Sequence, residues 1–209
     1  MRKGIVCLVQ ITAVIFGLLL LDQSINAQCV PPPSGMTAWW PLNESSGPTA
    51  NDIAAGGVNN AGTWMSSPVP VAGKVGGALS FGGANSVDVP DHSELNFGTS
   101  DFSVDLWIKT SEASGTHTFL DKRTGSVPNI TGYTLFLANG NLGSQIGDGT
   151  GYNNCVTTGF VADGNWHHVA LTVDRNGASG WLHYLDGSAL ATIGNPTGYQ
   201  GSLTNTAPS

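Results

Sequence analysis

The chain is predicted to fold as an all-β, two-sheet antiparallel sandwich, and three observations carry that expectation. Short apolar or alternating runs succeed one another, separated by clusters of Gly, Asn, Asp and Pro. Glycine supplies 29 of 209 residues, about double its usual ~7%, whereas charged residues make up 10% against a usual ~25%. No window carries the apolar spacing of an amphipathic helix.

Residues 1–27 read as a secretory signal peptide, with Arg2 and Lys3 as its basic start and an apolar stretch from Ile5 to Leu21. Ile25-Asn26-Ala27 is its small-residue cleavage site. The stretch is shorter than a membrane span of ~20 residues, so cleavage and secretion are expected, with no membrane insertion afterwards. Residues 28–35 form a Pro-rich lead-in (CVPPPSG from Cys29) that neither a helix nor a central strand accepts. The folded domain is placed at 36–209, with strands expected at 36–42, Gly62–Met65, 78–81, 87–89, Phe102–Lys109, 118–121, 133–138, 142–146, 166–174 and Trp181–Leu185. In Phe102–Lys109 the alternation puts Phe102, Val104, Leu106 and Ile108 on one face and Ser103, Asp105, Trp107 and Lys109 on the other. The run 166–174 alternates likewise, and Asp186-Gly187 after Tyr184-Leu185 predicts a hairpin into 189–193.

With 7 Lys+Arg against 14 Asp+Glu, and no long basic run, the chain lacks what neutralising a nucleic-acid backbone requires. Cleavage at Ala27 also removes Cys7 and leaves Cys29 and Cys155 in an oxidising compartment. The two either form a disulfide or stay independent thiols, one on the lead-in and one in a Gly/Asn-rich loop.

Six stretches in a fixed order carry a family resemblance: Ala38-Trp39-Trp40-Pro41-Leu42; Asp52-Ile53 with Gly56-Gly57 and Asn59-Asn60; Gly73-Lys74-Val75-Gly76-Gly77-Ala78-Leu79-Ser80-Phe81; Asp101 to Ile108; Asn165-Trp166-His167-His168-Val169-Ala170; and Tyr184-Leu185-Asp186-Gly187. Together they resemble the laminin-G-like, concanavalin A-like jelly roll domain of secreted bacterial proteins. The resemblance implies two curved antiparallel sheets and a binding or adhesion module, lectin-like in kind, within a larger multidomain extracellular or cell-surface protein. It also implies that the domain is truncated before its last strand, because relatives continue past the point where Ser209 stands.

Chemistry is sparse. A glycosidase of this fold would need two carboxylates about 5–9.5 Å apart, whereas Glu44, Glu94 and Glu112 stand singly and Asp105 is the lone carboxylate of its strand, so no enzyme is expected. His167 and His168 are neighbours on a strand and point to opposite faces, which forbids one shared metal ion. Asp52 with Asn59 and Asn60 forms a Gly-punctuated, oxygen-rich loop, and the resemblance implies a structural calcium there; the competing reading is an Asn/Gly turn in which Asp52 caps backbone. Trp107 on the outer face of its strand, and Tyr152 in the expected loop 147–154, are candidate ligand-binding residues for a glycan or another surface polymer. For Trp107 the competing reading is inter-strand packing. The class-distinct alternative to a glycan ligand is an extracellular protein partner or a structural adhesion role.

Overall fold

In the computed structural model, residues 35–54 and 59–209 are described. The signal peptide, Cys29 with most of the lead-in, and Gly56-Gly57 lie outside them. Among the described residues thirteen strands follow in order: β1 (Thr49–Ala50), β2 (Gly62–Met65), β3 (Val69–Ala72), β4 (Gly77–Ser80), β5 (Ser86–Asp88), β6 (Phe102–Lys109), β7 (Thr116–Ser126), β8 (Asn129–Ala138), β9 (Asn141–Asp148), β10 (Tyr152–Phe160), β11 (Trp166–Val173), β12 (Trp181–Leu185) and β13 (Ser188–Gly194). Every pairing is antiparallel.

Two four-stranded sheets, ordered β10-β9-β8-β7 and β13-β12-β11-β6, face each other across the core. The small sheets β1-β2-β5 and β3-β4 complete the order. The core is filled by alternate residues from both large sheets: Phe102 and Ile108 of β6, Leu135 and Leu137 of β8, Leu142 and Ile146 of β9, Val169, Leu171 and Val173 of β11, and Trp181 of β12. Each such side chain contributes roughly 1.5–3 kcal/mol by leaving water. Trp181 is fully buried, and its indole Nε1 donates to Ser144 Oγ at 2.7 Å, so the polar tip of the largest core residue is satisfied. Ser144 Oγ also lies 2.8 Å from Nε2 of the equally buried His183. One end of the sandwich is closed by Phe97 stacked on Phe102 at 4.7 Å, and by Tyr133, whose hydroxyl donates to the Leu95 carbonyl at 2.9 Å.

The C-terminal segment is bound into this body. Ser209 exchanges both backbone hydrogen bonds with Val89, at 2.7 and 2.9 Å. The buried Lys122 Nζ donates to Asp91 Oδ1 and to the Ala207 carbonyl, both at 2.7 Å, and to the Asn205 carbonyl at 3.4 Å.

Two expectations are corrected. The run 36–42 is irregular chain rather than strand, because Pro41 has no N–H to give a ladder and Leu42 takes φ 53° in the left-handed region. Its contacts are instead a Trp39 carbonyl accepting from Ile53 N at 2.9 Å and a Trp40 indole donating to the Asn60 carbonyl at 2.7 Å. The stretch 147–154 is mostly strand: only residues 149–151 connect β9 to β10, and Cys155 is a buried strand residue. Asp148 permits so short a connection by accepting the Thr150 N–H and hydroxyl on one oxygen, at 3.0 and 2.7 Å.

Candidate ligand-binding face

The face of the β7–β10 sheet turned away from the core carries a polar row that the strand register assembles. Asp121 pairs with Thr134, Thr134 with Gln145, and Gln145 with Asn154, one residue from each strand. The next row runs Arg123, Gly132, Gly147, Tyr152. Residues two apart on a strand share a face, so Arg123 and Tyr152 stand at opposite ends of a row whose middle is the buried pair Gly132 and Gly147.

Side-chain hydrogen bonds tie this face together. Arg123 holds Asp121 with a bidentate fork, Nε to Oδ1 and Nη2 to Oδ2, both at 2.6 Å. Its Nη1 donates to Gln145 Oε1 at 2.6 Å, and Gln145 Nε2 passes the chain on to Asn154 Oδ1 at 2.7 Å. Gln145 is buried, so its amide is fixed in one orientation, whereas Asp121, Tyr152 and Asn154 keep surface toward solvent. A cavity of about 470 Å³ opens beside Arg123, lined by Asp121, Thr124, Ser126, Val127 and Ile130 among others. Gly143 keeps the centre low: a Cβ there would lie 2.9 Å from the Phe136 ring and 3.2 Å from Val156. Such a surface offers fixed donors and acceptors flanked by an aromatic ring.

The residues singled out from sequence fall in three separate places. Tyr152 lies on this face. Trp107 lies on β6 in the other large sheet, 43% exposed, with its ring 5.3 Å from the cross-strand His168 ring and Lys74 Nζ 5.4 Å from its centroid. Asp52 is used by backbone: Oδ1 accepts from Trp39 N and Ala54 N at 2.8 and 2.9 Å, and Oδ2 from Asn60 N and Nδ2 at 3.2 and 3.0 Å. Burial raises its pKa, and these four bonds outweigh that and hold it below the usual carboxylate range. Asn59 Oδ1 accepts from Ala61 N at 3.0 Å. Among the described residues no three His, Cys, Asp or Glu side chains are grouped to hold a metal ion. The three glutamates lie apart, Glu44 accepting from Asn51, Glu94 in a short 3-10 turn and Glu112 in the segment before β7.

His167 and His168 point to opposite sides, as neighbouring strand residues must. His167 sits between Asp186 and Asp163, and His168 faces Asp105 at 3.2 Å. Sequence reading missed Arg123, Asp121 and Gln145. Two traces of them were available: an i, i+2 charge pair at the end of a strand, and a lone amide inside the apolar run 142–146.

Comparisons with known proteins agree with this architecture. A family described as the concanavalin A-like lectin/glucanases superfamily matches residues 81–208. No curated protein matches the sequence. Among solved structures, the binding domain of Paraclostridial Mosquitocidal Protein 1 is similar with a TM-score of 0.60 at 16% identity, over 82% of this chain and 43% of that one. A botulinum neurotoxin type C structure, whose cell entry is described as dependent upon interaction with two ganglioside molecules, has a TM-score of 0.50 at 16% identity, over 80% and 41%. The binding domain of botulinum neurotoxin DC in complex with rat synaptotagmin II has a TM-score of 0.53 at 14% identity, over 80% and 42%. The chain spans about two fifths of the length of these structures, and the likeness is one of fold.

Proposed function

The chain belongs to the concanavalin A-like lectin/glucanases superfamily, and from that premise we propose that it is a secreted, non-catalytic module that binds a glycan on the outer face of the β7–β10 sheet. The observation that carries this reading is the continuous Asp121–Arg123–Gln145–Asn154 hydrogen-bond row beside Tyr152. Sugar hydroxyls are both donors and acceptors, and a preset row of carboxylate, guanidinium and amides meets both needs while an aromatic ring covers an apolar sugar face. Binding by hydrogen bonds and stacking needs no covalent step, and a single carboxylate on this face supplies no acid–base pair.

The test is a glycan and polysaccharide binding screen on the chain, followed by Gln145→Ala and Tyr152→Ala. Each substitution should weaken binding roughly tenfold or more, the scale of a lost charge-linked hydrogen bond or stacking contact. Binding that survives both unchanged would move the site elsewhere.

One observation favours a second reading, a protein partner or structural adhesion role. The β3–β4 hairpin is solvent-facing, with Val69 at 56%, Val71 at 43% and Val75 at 78% exposure. Among similar folds one structure is a complex with synaptotagmin II, so protein recognition is compatible with this architecture. Loss of surface attachment in Val75→Asp, with Gln145→Ala unaffected, would select this reading.

A further inference from the structure

The charge state of the β7–β10 face narrows the ligand. Across the two rows that form it, Arg123 is the one cation and Asp121 the one anion. They close on each other through two charge-assisted bonds at 2.6 Å, and Gln145 takes a third guanidinium N–H at the same distance. A guanidinium committed along its Nε–Nη2 edge cannot offer that fork to an incoming carboxylate or sulfate, and the partner carboxylate beside it repels such a group. What the face still offers is the outer lone pairs of Asp121, the free valences of Asn154, the ring of Tyr152 and the two remaining N–H groups of Arg123, one on each Nη, whose charge Asp121 already neutralises; these suit uncharged hydroxyls. The four strands set its width at about 14 Å, three gaps of about 4.8 Å, which exceeds a single sugar ring.

We propose that this face selects a neutral, hydroxyl-rich glycan chain of two or more rings and discriminates against uronate-, sialate- or sulfate-bearing glycans, with Asp121 as the residue that sets the discrimination. The inference rests on the reading that this face binds a glycan.

The experiment uses the chain on an array of matched oligosaccharides, each neutral member paired with a counterpart bearing one carboxylate or sulfate, at low and high salt. The wild type should retain neutral members, at least roughly tenfold over their acidic counterparts, with little change on going to about 1 M salt. Asp121→Asn is nearly isosteric and frees Arg123; it should raise affinity for acidic counterparts by roughly tenfold, the scale of a charge-assisted hydrogen bond. A wild type that prefers the acidic members, or whose binding falls steeply with salt, overturns the discrimination while leaving the glycan reading standing. A folded wild type that retains no glycan of either kind removes the glycan reading and this inference with it. The wild-type comparison decides the matter even if Asp121→Asn does not fold.

Discussion

Asp186 grips His167 and its neighbour with one carboxylate: Oδ2 lies 2.8 Å from His167 Nδ1, and Oδ1 accepts the His168 backbone N–H at 2.9 Å. The second ring nitrogen of His167 lies 3.0 Å from Asp163 Oδ1. Only the doubly protonated ring donates to both carboxylates. The bond to Asp186 raises the His167 pKa above its ordinary 6.5, burial opposes, and Asp163 adds to the rise. A raised folded-state pKa contributes stability that is complete below about pH 6.5 and is lost as the pH climbs through the folded value. His167→Gln should therefore cost more stability at about pH 5.5 than at about pH 8.5. Thermal melts of both proteins across that range provide the check, and a gap that stays constant with pH would count against the clamp.

His183 acts in the opposite direction. Desolvation between the sheets pushes its pKa down to about 4 from 6.5. The unfolded chain takes a proton that the folded chain refuses, so stability falls as the pH drops from 6.5 toward 4. The full loss is on the order of 3 kcal/mol. An imidazole NMR titration should find His183 neutral in the folded protein at pH 5, whereas His167 is charged there. A His183 resonance titrating at its ordinary value would contradict its enclosed position.

Much of the sandwich was legible because its strands alternate cleanly. Phe102–Lys109 turns Phe102 and Ile108 inward and Trp107 outward as its spacing predicts, and most of 166–174 becomes β11 (Trp166–Val173), its antiparallel neighbour in the same sheet. The alternation failed where local chemistry overrode it, at Pro41-Leu42, and where Gly and Asn disguised β10 as loop. The candidate face was less legible for a different reason. Arg123 and Gln145 are 22 residues apart and meet only because β7, β8 and β9 align in one register. Composition and motif spacing carry no record of that alignment. Tyr152 is expected on a loop, yet it stands on the sheet face because β10 begins with it.

Asp52 allows two roles to be separated. Four N–H groups converge on its two oxygens, so Asp52→Ala should cost roughly 2 kcal/mol by orphaning partly buried donors. As a pure cap, the loss is equal in calcium and in chelator. A wild-type melting temperature raised by calcium, with Asp52→Ala unresponsive, would instead make this carboxylate an ion ligand. Melts of both proteins under both conditions distinguish the outcomes.

Lys122 ties the end of the chain to the sandwich. Its ammonium is wholly buried and its bonds go to Asp91 and to the Asn205 and Ala207 carbonyls, so one side chain fixes a segment more than 80 residues away. Lys122→Met keeps the aliphatic stem packed and removes only the charge and its donors. Two carbonyls and a carboxylate then lose their partner, at a cost of roughly 2–4 kcal/mol; Asp91 is partly exposed and can be rehydrated, which keeps the loss below that of a fully enclosed pair. The effect should be local before it is global. Amide exchange at Ser209 and Val89, which bond each other through the backbone, should accelerate before that of Leu135 or Val169 in the core sheets. Uniform acceleration across the sheets would instead mean that Lys122 supports the whole sandwich, and unchanged exchange at Ser209 would mean that the Val89 pairing holds the segment without it.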